Sequence, residues 1–299
     1  IRLYEGVAFS SPTHWYYTLG SKSPGWPQGN TSTYKIQYSN DTATNAVSSV
    51  PNLGTSFHTI RYHTAFSDHS GGKGYVTGGY TSPAGTPWAS SSSTFKITYA
   101  TDVWNECPWA YVTDSFGWYS AFGRSNGRYG YHIGGKNGSL SPTSTYVNTD
   151  GSKTTTKLDF SNETWIPVTT ATMPVGSPLY NGGNMAGITW GTTDAAYLGG
   201  GWGDSGSTSV LKLSYSSETL TILPGKLLST VDTLRSSSSD THGYRGGQNN
   251  SNKSNISKYE FSTGTEVASP SNFSADSQSN RGSSVQDDVG GYSESPNVI

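Results

Sequence analysis

The chain is predicted to be all-β: a single closed β-propeller of about six blades, each of about four antiparallel strands, with the N-terminal strand completing the ring. Three observations predict this. A short β run ending in a glycine pair recurs along the chain, and a second, lysine-bearing phrase follows its first five copies. Aromatic residues are also frequent, with 20 Tyr, 9 Trp and 9 Phe in a chain whose hydrophobic content is only 32%.

The glycine phrase is clearest in Tyr75-Val-Thr-Gly-Gly79, Tyr131-His-Ile-Gly-Gly135 and Tyr197-Leu-Gly-Gly-Gly201. Looser copies are Tyr17-Thr-Leu-Gly-Ser21, Tyr244-Arg-Gly-Gly247 and Asp288-Val-Gly-Gly291. The lysine phrase reads x-Lys-(Ile/Leu)-x-(Tyr/Phe)-Ser-x-(Asp/Glu)-Thr. Its copies open at Tyr34, Phe95, Thr156 and Leu211, and a fifth at Ser257 has lost the acid. Within it, large apolar residues alternate with polar ones, the period of a strand with one buried face. The Ser-x-(Asp/Glu)-Thr tail is turn chemistry, because short hydroxyl and carboxylate side chains bond the local backbone and reverse the chain. Each unit therefore reads as strand, glycine loop, strand, tight turn, strand, with room for one more.

Successive copies lie roughly 45 to 65 residues apart, which fits a propeller blade better than a shorter solenoid repeat. One small sheet cannot bury both of its faces, so neighbours must cover them, and a ring leaves no end blade exposed. The glycine pair at Gly290 and Gly291 has no lysine phrase after it, whereas Ile1-Arg-Leu-Tyr4 resembles an orphan opening of that phrase. An N-terminal strand lent to the last blade repairs both ends, and the domain then spans residues 1–299.

Charged residues are only 13% and balance to a net charge of −2 without runs of either sign, so the electrostatic footprint of a nucleic-acid binder is missing. No apolar stretch is long enough for a membrane-spanning helix. Cys107 is the single cysteine, which excludes an internal disulfide framework. The opening residues lack the regions of a signal peptide, so the chain reads either as processed or as a segment of something longer.

The paired phrases resemble kelch repeats over nearly the whole chain, through the Tyr-x-x-Gly-Gly strand end and the downstream aromatic strand. The wording of Tyr34-Lys-Ile-Gln-Tyr-Ser-Asn-Asp-Thr-Ala-Thr44 and Gly74-Tyr-Val-Thr-Gly-Gly79 is similar to repeats in structural and tail-fibre proteins of marine bacteriophages. The kelch tryptophan after the turn is clear only at Trp104 and Trp165. This resemblance implies a virion or extracellular surface component that builds a particle or touches a host, and it implies no chemistry. Fold alone does not establish function.

Candidate binding residues are Trp26, Trp88 and Trp202, each in the loop after a glycine slot and so on one face of the disc. Flat indole rings on a rigid scaffold offer a stacking surface to a sugar or a protein; the competing account is that each caps its own blade. A second aromatic concentration comprises Trp104, Trp109, Tyr111, Phe116, Trp118, Tyr119 and Phe122, either blade core or an exposed subunit patch. His58, His63, His69 and Asp68 match no metal-ligand spacing and read as structural. The lysine of each repeat and the acid six residues later (Lys35 and Asp41, Lys96 and Asp102, Lys157 and Glu163, Lys212 and Glu218) recur blade by blade and read as architecture, since a catalytic group is needed once.

The sequence thus predicts a non-enzymatic virion structural or host-attachment protein, without cofactor or metal, whose partners are other virion or surface subunits. The alternative is a lectin-like propeller that binds host glycans through the three tryptophans. A glycoside hydrolase is a further alternative, because paired carboxylates are not recognisable by spacing.

Overall fold

A computed structural model describes residues 3–4, 7–19, 21–22, 31–51, 57–83, 89–90, 93–107, 118–119, 122–137, 154–173, 188–200, 208–228, 235–246 and 255–272. These residues form strands, turns and bends.

The strands build five four-stranded antiparallel sheets, each in simple sequence order. Around the first blade lie β1 (Leu3–Tyr4), β2 (Val7–Ser10), β3 (His14–Thr18), β4 (Ser21–Lys22), β5 (Ser32–Gln37) and β6 (Thr42–Ser49). The sheet itself is β2-β3-β5-β6, and β1 pairs separately with β4. The second blade is β7 (Phe57–Asp68), β8 (Lys73–Pro83), β10 (Thr94–Thr98) and β11 (Val103–Glu106), with β9 (Ala89–Ser90) on β8. The third follows the ribbon strand β12 (Trp118–Tyr119) and comprises β13 (Phe122–Ser125), β14 (Tyr129–Ile133), β16 (Thr155–Asp159) and β17 (Thr164–Val168), with β15 (Lys136–Asn137) paired to β12. The fourth is β18 (Ile188–Gly191), β19 (Ala195–Gly199), β20 (Ser209–Ser214) and β21 (Thr219–Lys226). The fifth is β22 (Arg235–Ser238), β23 (His242–Gly246), β24 (Asn255–Glu260) and β25 (Thr265–Asn272).

The expected all-β propeller is therefore present, but the described blades number five rather than six. Counting glycine pairs counts second strands, whereas a blade needs all four. The sixth pair, Gly290 and Gly291, lies outside the described residues. The N-terminal closure also differs from expectation: Leu3 pairs with Lys22 and Tyr4 with Ser21, inside the first repeat. That blade already owns four strands from Val7 to Ser49, so the N-terminal segment extends its first hairpin instead of lending a strand to the last blade.

The first strands pack edgewise on one another in the order β2, β7, β13, β18, β22, which makes them the inner strands of the ring. Serine side chains link three of these four contacts. The Ser10 N–H donates to Ser67 Oγ at 3.1 Å, Ser125 Oγ donates to the Ser67 carbonyl at 3.1 Å, and Ser238 Oγ donates to the Gly191 carbonyl at 3.1 Å. Among the described residues β22 and β2 show no comparable packing.

The core lies between the blades. One apolar cluster joins Phe9, Tyr16 and Leu19 of the first blade to Val76, Ile97 and Trp104 of the second. A second joins Phe66 and Tyr75 to Phe160 and Trp165, a third joins Tyr131 and Ile133 to Leu213 and Tyr215, and a fourth joins Trp190 and Tyr197 to Tyr259. Each sheet thus buries its faces against its neighbours, as expected for sheets too small to form their own core.

Candidate interaction surfaces

Cross-strand register shows what each junction is made of. Tyr16, Tyr75, Tyr131, Tyr197 and Tyr244 sit on the second strands opposite Lys35, Lys96, Lys157, Lys212 and Lys258. In the first repeat the matching tyrosine is Tyr16, one residue before the one the glycine phrase suggested. Three residues on, Leu19 occupies the first glycine slot and shares its left-handed backbone, with φ of 61° against 66° at Gly78 and 67° at Gly134.

The acid of the lysine phrase also stands in the left-handed region, at φ of 54° for Asp41, 55° for Asp102, 59° for Glu163 and 51° for Glu218. In the fifth copy Gly264 takes this place at 69°, so the residue that lost the acid kept the backbone. Holding a non-glycine residue there costs about 1 kcal/mol. The turn is closed by the N–H of Asp102 to the Thr98 carbonyl and of Glu163 to the Asp159 carbonyl, at 2.8 and 2.7 Å.

Among the described residues no ion pair joins these acids to the lysine of their own repeat. Three of the four reach the lysine of the preceding blade: Lys35 meets Asp102 at 2.5 Å, Lys96 meets Glu163 at 2.6 Å, and Lys157 meets Glu218. The preceding tyrosine joins in, with Tyr16, Tyr75 and Tyr131 donating their hydroxyls to Asp102, Glu163 and Glu218 at 3.2, 3.3 and 3.1 Å. Lys73 adds a second cation on Glu163 at 2.9 Å. Burial pushes the Glu163 carboxyl up, but hydrogen bonds from Lys96 and Lys73 overcome this and hold it below the ordinary carboxylate value. Burial and the neighbouring carboxylate raise the Tyr75 and Tyr131 hydroxyls, so both stay protonated.

An aromatic stack completes each junction. The phrase aromatic of the next blade lies on the tyrosine: Tyr99 on Tyr16 at 5.2 Å, Phe160 on Tyr75 and Tyr215 on Tyr131 at 5.1 Å, and Phe261 on Tyr197 at 4.2 Å. Such pairs contribute about 0.5–1.5 kcal/mol each beyond area burial. The post-turn tryptophans reach back as well, Trp104 Nε1 donating to Thr33 Oγ1 at 2.8 Å and Trp165 Nε1 to Thr94 Oγ1 at 3.2 Å.

The fourth junction substitutes these parts. Gly264 removes the acid, and Lys212 lies 5.6 Å over the Tyr197 ring. Glu266 replaces the tryptophan; its buried carboxylate takes Arg245, Ser257 Oγ and the Leu228 N–H.

The ring therefore has two faces that no described blade covers. On the leading side of the first blade, Tyr38 is 43% exposed, whereas its equivalents Phe160 and Tyr215 are 5% and 9% exposed. Trp15, Tyr17 and Ile36 share that face and are half-buried, and Trp15 stacks on Tyr17. On the trailing side of the fifth blade, Tyr244 and Lys258 are half-buried and Val267, opposite Lys258, is 53% exposed.

The predicted binding residues Trp26, Trp88 and Trp202 lie outside the described residues. So do Trp109, Tyr111 and Phe116 of the aromatic concentration; Trp104 and Phe122 are core, and Trp118 and Tyr119 form a ribbon strand. Asp68 accepts from Ser70 Oγ and the Gly71 N–H, and so orders the turn after β7. His63 is buried, with its imidazole held down to about pKa 3 by burial. Cys107 is buried, and burial with Glu163 pushes its thiol up to about 11.

Repeated four-stranded sheets joined at inter-blade cores place the chain in the class of β-propellers. Among solved structures it is similar to the one titled "Structure of YjhT", with a TM-score of 0.64 and 16% identity, covering 83% of this chain and 73% of that one. At that identity the likeness shows the fold alone. No protein-family model and no curated protein matches the chain.

Proposed function

We propose that the chain is a non-enzymatic structural or host-attachment component of a virion or cell surface, working through protein contacts on its uncovered blade faces. The observation that carries this reading is the exposure of Tyr38 beside Trp15 and Tyr17, where the equivalent aromatics of later blades are buried (Phe160, Tyr215) or partly buried (Tyr99, Phe261). Aromatic, apolar faces rimmed by polar residues mark interfaces. The resemblance of the repeats to kelch units and to phage structural and tail-fibre proteins supports the same assignment. The test replaces Tyr38 and Trp15 with Ala and follows incorporation into particles or attachment to cells. Loss of either at unchanged thermal stability supports the reading, and undiminished incorporation and attachment overturn it.

A glycan-binding reading rests on a separate feature. In the sequence, Trp26, Trp88 and Trp202 each follow the glycine slot of a repeat, which is the reason to expect them on one face of the disc. Glycan-array binding that disappears on changing the three tryptophans to Ala favours this reading over the first.

A further inference from the structure

Two histidines are buried where the fold gives their rings nothing to bond. His63 lies on β7 opposite Gly78 and is 7% exposed; its ring stands over Gly79, where an added Cβ would lie 2.4 Å from three of its atoms. His132 lies on β14 between Gly123 and Thr156 and is 2% exposed, its ring perpendicular to that of Trp165 at 6.2 Å. Neither nitrogen of His63 has a hydrogen-bond partner, nor has Nε2 of His132. His14 and His242, by contrast, are bonded to Thr13 and Thr241 on hairpin turns.

The two rings flank one blade. His63 shares its strand face with Ala65, which is packed in the core between blades one and two. His132 follows the junction residue Tyr131 and so points the opposite way, back towards blade two. The Trp165 beside it belongs with Phe66 and Tyr75 to the core between blades two and three. In the neighbouring blades the residue after the junction tyrosine is Val76 or Leu198, both fully buried, so His132 puts an ionisable ring in an apolar core position. Among the described residues no buried histidine lies in the later junctions.

Nothing charged compensates a proton on either ring. On the side of β7 that His63 shares, blade one brings Tyr16 and the Lys35–Asp102 pair, β2 has no ionisable residue, and β4 carries Lys22. β7 itself carries Arg61 and Asp68, and β8 carries Lys73, Tyr75 and Tyr80; β12, β13 and β14 on the far side carry Tyr119, Arg124, Tyr129 and Tyr131. Burial alone lowers the His63 imidazole, to about 3. Around His132, blade two brings Asp68, Tyr75 and Cys107, β13 and β16 carry Arg124, Lys157 and Asp159, and Glu163 is held by Lys73 and Lys96. Burial lowers this ring to about 4, opposed only by a bond to its own backbone.

We infer that blade two is an acid-released segment of the ring: protonation of His63 and His132 frees this sheet from both neighbours before the rest of the propeller unfolds. The inference goes beyond the protein-contact role and stands without it. Each ring is neutral when packed and binds a proton once exposed, so the packed form is favoured above the free value of 6.5 and loses ground as pH falls towards the folded values. Glu163, held below the ordinary carboxylate value, stays ionised between pH 7 and 5 and does not mask the effect. Over that interval each proton raises the opening constant about twentyfold, and the two together about 400-fold.

Hydrogen exchange of the full chain at pH 7, 6 and 5, corrected for intrinsic rates, tests this. Amides of β7, β8 and β10 are expected to lose about 400-fold in protection relative to those of β19 and β20 in blade four. His63→Phe or His132→Leu should each cut that loss to about twentyfold, and the double variant should abolish it. Equal loss in blades two and four marks global unfolding and overturns the inference, as does a loss that both substitutions leave unchanged. Imidazole NMR resonances of the wild type give a reading that needs no variant to fold. Both rings should remain neutral while packed, with proton uptake appearing only as the open form is populated. Titration of both rings near pH 6.5 with protection intact overturns the inference too.

Discussion

Glu163→Gln tests the inter-blade clamp where it is densest. The carboxylate, whose side chain is 11% exposed, accepts from Lys73, Lys96 and Tyr75 across the junction between blades two and three. Glutamine keeps the shape but removes the charge, leaving two lysines facing each other over an amide with one acceptor oxygen. Charged hydrogen bonds contribute about 1.5–3 kcal/mol each, and the lysines, 30% and 22% exposed, recover part of their hydration; the expected net cost is about 2–3 kcal/mol. For a chain of this size that is a fall in melting temperature of about 4–8 °C. Because the folded carboxyl titrates below its unfolded value, its contribution is complete above the ordinary carboxylate pKa and is lost as pH falls through the folded one. The gap between wild type and variant should therefore be widest near neutrality and close in acid. Thermal melts at stepped pH measure this, with a double-mutant cycle against Lys96→Met for the coupling. A gap that stays constant into strong acid, or a coupling energy near zero, would refute the clamp.

Four other expectations concern different parts of the ring. Gly243→Ala forces a methyl against the Trp190 ring, which is held by its Nε1 bond to the Tyr244 carbonyl at 2.9 Å; urea unfolding should show a loss of about 2–3 kcal/mol. Gly72→Ala, with φ of 66° and open space around its Cβ, should cost only the left-handed strain of about 1 kcal/mol. Glu266→Gln strands the buried Arg245 charge and should cost about 3–5 kcal/mol, whereas Arg245→Met with Glu266→Leu together should be near neutral, as read by denaturant midpoints. His63 is neutral when folded, its pKa lowered by burial to about 3, so stability present above the free value of 6.5 is lost as pH falls towards the folded one. Between pH 7 and 5 this single residue should remove about 2 kcal/mol, and His63→Phe should abolish that part of the pH dependence.

The second and third strands of each blade were legible because their wording repeats: tyrosine and glycines on one, lysine and aromatic on the other. The inner strands were not. β2, β7, β13, β18 and β22 share little beyond serines and small residues near their ends, since their bulky slot is filled variously by Phe9, Phe66, Arg124, Trp190 and Ser237. Without them, glycine pairs stood for blades and the count rose to six. The lysine and acid recur blade by blade, and the spacing of six residues suggested a partner within the repeat, whereas the pairs that form join neighbouring blades. The left-handed turn is what denies that pairing, and no spacing argument reveals it. Leu19 hid the first glycine slot for a related reason: a leucine there spends strain that sequence statistics assign to glycine, and its burial in the core of the first junction offsets the cost. The exposure of Tyr38 was invisible for a different reason, since its wording is the same as that of the buried Phe160 and Tyr215.

The split of each clamp across two blades has a consequence for order. Stacking of Tyr99 on Tyr16 or Tyr215 on Tyr131 sets how the rings lie on each other but not the charge order along the sheets, so apolar faces alone would tolerate exchanged neighbours. A carboxylate that must meet both a lysine and a tyrosine hydroxyl fixes the height and rotation of one sheet on the next. Where the acid is lost at Gly264, the Trp190 bond to the Tyr244 carbonyl and Gly243 beneath that ring supply the registration instead. Registration is thus retained at each described junction although its chemistry changes.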